Sequence, residues 1–600
     1  MNVKTRRPKI HLVPTRNTCV NGRAAIPPFA SSGRRVRAIW LACSLAALGT
    51  SYAEWQYDWS KRTDRYGKPA GVFLETPFPI TEQTTNYVIE TDEGLKTAHL
   101  GTKYFVDGGT GNDTNSGLSV GAAKRTIAAA IVAAGSGNKT ILIRGAHADF
   151  DGVYPVTQWI YAKAGVDTEH RWILCGYGQE RPMLDGSAGA TRFIYGTGQT
   201  NAFVTIQRLK FQHCAETAVR PGGSPKQDAD WNTIDVSFYD CDNLIETPNQ
   251  LGDGSLYYFN VDHGWIHHVT SEHTKSHGIK VGNTIGGHDN TVEWCFVNGA
   301  GWYPGWDGPT NAWDQYPDGI DFPADTGGEF NEDIRCRYNI VKTTLYSAIL
   351  IRRAKNFSFH HNEVYDSPKA DQIAGACNHL YGKAQVVIVY GWTSGSVYDN
   401  IVRSQGMSNT VALLIDGMQD DSPVINVYNN QFYGNDGGVV VSDNVSGTVS
   451  ILNNSIYLDS GIVANEKSGS GIYCQSTGDP IVNIENNVIR QDGSGYCIRR
   501  MSSYVPEHAY NLLYAPKGYV GVPPDGVGDS INQPVPWAAI PSGEYTAAAF
   551  SLTKSLPGKI ESLYVDDFKG HKRVTWDKGC LDMLSPISAP RDLHLVSPGN

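Results

Sequence analysis

The feature that most constrains this chain is a short unit that returns at irregular intervals. It reads apolar-x-apolar-x-(Asn/Asp/His)-Asn-x-apolar. It stands as FSFHHNEV at 357–364, VYDNIV at 397–402, VYNNQF at 427–432, ILNNSI at 451–456 and IENNVI at 484–489. With Asn339 added, the last Asn of each unit falls at 339, 362, 400, 430, 454 and 487, so the separations are 23, 38, 30, 24 and 33. A constant motif at variable spacing means fixed strands joined by loops of variable length, the mark of a solenoid. Asn tolerates the left-handed bend between strands, and Asn side chains stacked coil on coil can bond up and down the column. A sandwich or propeller also offers short strands, but it gives no reason for an Asn column.

A second set of short strands follows these units: Ala218-Val219-Arg220, Leu244-Ile245-Glu246, Gly278-Ile279-Lys280, Gly319-Ile320-Asp321 and Ala348 to Arg352, then 386–390, 411–415, 438–441 and 471–473. In each of the first five the middle apolar residue faces inward, and alternation turns the next residue out. The 64 Gly among 600 residues fit a chain of many tight turns. The formal charge of −10 argues against nucleic acid as partner, which calls for a basic face. It leaves room for a local basic patch.

Residues 1–53 read as a leader. Arg34, Arg35 and Arg37 precede an apolar run from Ala38 to Gly49, and Ser51-Tyr52-Ala53 places small residues for cleavage near Ala53. The run is short for a membrane span. The expectation is a secreted or periplasmic protein with no stable membrane insertion. Of eleven Cys two lie in the leader, and none forms a CxxC pair that would point to zinc. Cys214 and Cys241 take the same place in successive repeats and read as stacked buried thiols.

Residues 54–100 form an N-terminal extension, 101–510 the repeats and 511–600 a closing segment. The repeats begin with a strand at 103–107, a Gly-Asn-Asp turn at 111–117, a helix-prone stretch from Lys124 to Ala134 and a strand at 140–144. This order resembles the N-terminal end of secreted right-handed parallel β-helix proteins of the pectate-lyase-like kind. The likeness continues through RWILCGYG at 171–178 and PMLDG at 182–186. It implies an all-β, right-handed parallel β-helix with an N-terminal capping helix. The stretch VDDFKGHKR at 565–573 resembles the segment that closes such helices, implying a C-terminal cap.

Stacked in register, the outward residues form a column: Arg220, Glu246, Lys280, Asp321, then Leu350 flanked by Arg352 and Arg353. A ladder of exposed ion pairs, each worth about 0–1 kcal/mol, would look the same. The loop between Lys280 and Asp321 adds weight to a site. It holds Trp302, Tyr303, Trp306, Trp313 and Tyr316 with Asp307 and Asp314. Aromatic faces suit the apolar faces of sugars, and carboxylates take their hydroxyls. His277 borders the Lys280 strand and lines the same place. Arg220, Glu246, His277, Arg353 and the loop aromatics are therefore the candidate substrate-binding residues.

Two chemistries suit Lys280, Asp318, Asp321 and Arg352. Asp318-Gly319-Ile320-Asp321 resembles the Asp-Gly-Ile-Asp stretch of polygalacturonases, which implies an acid–base carboxylate pair for glycoside hydrolysis. The Asp-Asp, Gly-His-Gly and Arg-x-Lys motifs of that family do not follow in order. The other chemistry is β-elimination from a uronic acid, which needs a base for the C5 proton and a cation to neutralise the carboxylate. Lys280 beside Asp318 and Asp321 resembles pectate lyases that use a Lys base and an Asp cluster for Ca²⁺. Lys280 with Arg352 or Arg353 is similar to alginate- and chondroitin-type lyases. Asp318 and Asp321, with Asp307 or Asp314, offer oxygen ligands suited to Ca²⁺. The first expectation is a polysaccharide lyase acting on an acidic polymer. Hydrolysis by Asp318 and Asp321 is the alternative, and a non-catalytic glycan-binding or adhesin-like solenoid the third.

Overall fold

In the computed structural model, residues 79–547 are described except for internal stretches, the longest being 242–253, 302–316, 366–383 and 459–468. Three long parallel sheets run through them. The first has fourteen strands from Thr102–Val106 to Glu507–Ala509, the second fourteen from Val153–Pro155 to Ser530–Ile531, and the third twelve from Ile160–Tyr161 to Tyr496–Arg500. Successive turns of chain place one strand in each sheet, and each strand pairs in parallel with those one coil before and after. The fold is a parallel β-helix. Its interior is one continuous apolar column that includes Ile206, Phe211, Ile279, Ile320, Phe359, Val397 and Ile484.

The Asn column is present. The side-chain Oδ1 of Asn362 accepts from the backbone N–H of Asn339 at 3.0 Å. The pattern repeats from Asn362 to Asn400, Asn400 to Asn430, Asn430 to Asn454 and Asn454 to Asn487, at 2.9–3.1 Å. It extends to Asn511 and ends on Asp529, which accepts from Asn511 N–H at 2.7 Å. These Asn residues are fully buried. The left-handed bend lies one residue earlier than the ladder itself, at His361, Asp399, Asn429, Asn453 and Asn486, with φ between 52° and 59°. The two polar residues of each unit thus divide the work: the first makes the bend, the second satisfies buried backbone groups.

A helix forms at Ile127–Ala134. Thr126 Oγ1 accepts from Ala129 N–H at 3.2 Å, and Asp113 in the Gly-Asn-Asp turn accepts from the N–H groups of Arg125 and Thr126. Its buried residues Ile127, Ala130, Ile131 and Ala134 join the interior column. Cys214 and Cys241 are buried free thiols. The leader at 1–53 and the closing segment from 548 lie outside the described residues. Among the described residues no helix is long and apolar enough to cross a membrane.

Candidate functional site

Three consecutive coils of the third sheet carry the same short phrase. His277-Gly278-Ile279-Lys280 is followed by Asp318-Gly319-Ile320-Asp321 and then Ser347-Ala348-Ile349-Leu350. Ile279 pairs with Ile320 and Ile320 with Ile349, all three facing the core. The pleat then sets Lys280 beside Asp321 and Asp321 beside Leu350. A second column, three residues back, stacks His277, Asp318 and Ser347. The two glycines are required by the closeness of the coils: a Cβ on Gly278 would stand 2.4 Å from Val297 Cγ1, and one on Gly319 equally close to Val341 Cγ1.

These columns meet in one cluster. His277 Nδ1 accepts from the Asp318 N–H at 3.2 Å and lies 3.7 Å from Asp318 Oδ2 and 3.9 Å from Asp321 Oδ2. Arg352 Nη2 donates to Asp321 Oδ2 at 3.3 Å. The Ser347 hydroxyl donates to Asp318 Oδ1. Lys280 Nζ sits 4.7 Å from the centre of the Tyr257 ring. Burial separates the members. Asp318 and Asp321 are 0% and 1% exposed, while Lys280 is half-buried and the Arg352 side chain 26% exposed.

Electrostatics follow from that enclosure. Burial lifts the Asp318 carboxyl well above the usual carboxylate range, and the neighbouring Asp321 charge adds to it. Asp321 is raised by burial too, but Arg352 and Lys280 oppose the shift. His277 is driven well below the ordinary imidazole range by burial, then by Lys280 and Arg352. These shifts favour the neutral imidazole of His277 and the acid form of Asp318, while Arg352 and Lys280 favour the charged form of Asp321.

Several expectations need correction. Asp321 points out of the sheet in register with Lys280, yet it is buried, enclosed by His277, Asp318 and Arg352; an outward position on the pleat is not the same as exposure. The place given to Glu246 belongs to Tyr257. The third-sheet strand between Val219–Arg220 and Ile279–Val281 is Leu256–Tyr258, and Tyr257 pairs with Lys280. Glu246 itself lies outside the described residues, as do Trp302, Tyr303, Trp306, Asp307, Trp313, Asp314 and Tyr316. Arg220 stands over Tyr257 and Phe259 at 5.1 and 4.8 Å. Arg353 is turned to Phe330, 4.9 Å from its ring, with a left-handed φ of 45°, apart from Arg352. Ser347 and Tyr257 escaped the reading of the sequence. Ser347 was legible by aligning Tyr346-Ser347-Ala348-Ile349 beneath Pro317-Asp318-Gly319-Ile320. Tyr257 was missed because the Leu244-Ile245-Glu246 phrase reads as the strand at that place.

Among the described residues one group of side chains could hold a metal ion, His277, Asp318 and Asp321, with ligand atoms within 4.8 Å of one another. Asp318 Oδ2 and Asp321 Oδ1 are buried without a hydrogen-bond partner. Asp307 and Asp314, the further oxygen ligands expected for Ca²⁺, lie outside the described residues. That ion takes six to eight oxygens, of which the described cluster supplies the carboxylates of Asp318 and Asp321.

No protein-family profile and no curated protein matches the chain. Solved structures do resemble it. A pectate lyase is 13% identical, covering 81% of this chain and 97% of its own, at a TM-score of 0.34. A PL6-family alginate lyase is 11% identical, covering 69% of this chain and 53% of its own, at 0.43. The Streptococcus pneumoniae surface adhesin PfbA is 10% identical, covering 65% of this chain and 91% of its own, at 0.39. The likeness is one of parallel β-helix fold, common to lyases and an adhesin alike, so the chemistry has to be argued from the site.

Proposed function

We propose that this chain is an exported polysaccharide lyase that cleaves an acidic, uronate-containing polymer by β-elimination. The observation that carries the reading is the division of the cluster. The two groups that reach solvent, Lys280 and Arg352, are cations on neighbouring sides of one buried carboxylate. A substrate in contact with this surface meets a base candidate and a carboxylate partner together. Arg352 pairs with the uronate carboxylate and makes the C5 proton more acidic. Lys280 Nζ takes that proton, the C4–O bond breaks with its electron pair going to the leaving oxygen, a C4=C5 double bond forms, the leaving oxygen takes a proton from water, and Lys280 returns its proton to solvent. His277 and Ser347 act behind them, positioning Asp318. Export rests on the leader at 1–53, and a mature protein beginning at Glu54 by mass spectrometry tests it.

One observation favours hydrolysis instead: Asp318 and Asp321 form a carboxylate pair in unequal environments, the arrangement that separates an acid from a base. Their burial weighs against direct contact with a glycosidic oxygen. The experiment is a product analysis on an acidic polysaccharide panel. Elimination gives unsaturated ends that absorb in the ultraviolet, hydrolysis gives saturated reducing ends, and a binding protein gives no product.

A further inference from the structure

The column that carries Lys280 continues toward the N-terminal coils. Lys280 pairs with Tyr257, the strand of Tyr257 with that of Arg220, Arg220 with Tyr195, and Tyr195 with Tyr161. Trp159 lies at its far end. Its ring centre is 6.3 Å from that of Tyr161 and 5.3 Å from that of Tyr195. Trp159 and Tyr161 are 37% and 41% exposed, unlike the rings that fill the core. The Arg192 guanidinium lies 5.1 Å from the Trp159 ring and 5.5 Å from that of Tyr195, and pairs with Glu216 at 2.5 Å. Rings and cations thus share one face, coil after coil. In the other direction the same column is Leu350, Val387 and Leu414, all buried. Tyr257, next to Lys280, is also buried, so the exposed rings of the column are those at its N-terminal end, Trp159 and Tyr161.

We propose that Trp159, Tyr161, Arg192 and Tyr195 form a binding platform for an extended acidic glycan, on the same strand column as the Lys280–Arg352 site and to its N-terminal side. The proposal rests on the functional reading above and deepens it. Two points argue for this occupant. Trp159 and Tyr161 keep exposed ring surface that suits the apolar faces of sugars, while the cations among the rings suit carboxylates. The platform is also joined to the site by unbroken strand register. Four coil steps of about 4.8 Å separate Tyr161 from Lys280, roughly 19 Å, enough for several sugar units of one chain.

The test is affinity electrophoresis of the full-length chain through gels containing alginate, polygalacturonate or chondroitin sulfate, with a neutral β-glucan as control. The variants are Trp159→Ala/Tyr161→Ala and, separately, Arg192→Gln. Both affect partly exposed side chains, and thermal melting confirms that the fold is kept. The expected result is retention of the wild type on at least one acidic polymer, weakened about tenfold or more by the double variant and less by Arg192→Gln, with no retention on the glucan. Equal retention of the wild type and both variants would overturn the platform. So would equal retention on the neutral glucan, or no retention of the wild type on any acidic polymer. Weakened retention in the variants with no unsaturated product from the wild type would leave the platform standing and remove the lyase reading.

Discussion

Replacing Asn430 by Ala removes one rung from the middle of the buried ladder. The Asn430 Oδ1 accepts from the Asn400 backbone N–H at 3.1 Å and from Asn400 Nδ2 at 2.9 Å. Its Nδ2 donates to the carbonyls of Val397 and Tyr428 at 2.9 and 3.0 Å. Asn400 Nδ2 keeps the carbonyls of Phe359 and Tyr398 after the change. Its backbone N–H has no such substitute and is left buried and unpaired, which costs about 1–3 kcal/mol. The two carbonyl bonds add about 0.5–1.5 kcal/mol each, for a loss of roughly 2–6 kcal/mol in all. Asn430→Asp keeps the acceptor for Asn400 N–H but loses the three bonds donated by Nδ2, to Val397, Tyr428 and Asn454, and buries a charge, so it should be no better. Guanidinium unfolding followed by tryptophan fluorescence reads the loss as a lower midpoint at unchanged slope. A change below about 0.5 kcal/mol for Asn430→Ala would refute the claim that the ladder stabilises the coil.

Asp318→Asn should raise stability at neutral pH. The folded carboxyl binds its proton more tightly than the unfolded one, so between the unfolded pKa and the raised folded value stability falls as pH rises, and the amide removes that slope; a lower melting temperature than wild type at pH 7 would count against it. His277→Gln should flatten the acid side of the profile: the folded imidazole is depressed, so stability is lost as pH falls below the unfolded value of about 6.5, and an unchanged profile in the variant would place that loss elsewhere, for example at the buried His267, which is pushed down to about 3. Lys280→Ala should abolish turnover with little change in melting temperature, since the side chain is half-buried and outward, and wild-type rates in that variant would remove it as the base.

The solenoid was legible because its two determinants are local. Inward apolar alternation and a polar pair at each bend recur whatever the loop between them does, so the Asn residues from 362 to 487 could be aligned from the sequence alone. The register of Lys280 with Asp321 was legible for the same reason, from two Gly-Ile phrases. What depends on loop length was not. Nothing in the sequence shows that the next third-sheet strand falls at Leu256–Tyr258, so Glu246 was placed where Tyr257 stands. Burial of Asp318 and Asp321 was not legible either. It arises from His277 on the coil before and Ser347 and Arg352 on the coil after, and a carboxylate in a Gly-rich strand reads as exposed until those neighbours are in place.

The account's central claim is that Lys280 and Arg352 carry out an elimination on a uronate. Its most direct test is the ultraviolet absorbance of products released from acidic polysaccharides by the wild type and by Lys280→Ala at matched concentration. The account predicts unsaturated products from the wild type on at least one polymer and none from Lys280→Ala. Saturated reducing ends from the wild type, retained in Lys280→Ala and lost in Asp318→Asn, would contradict it.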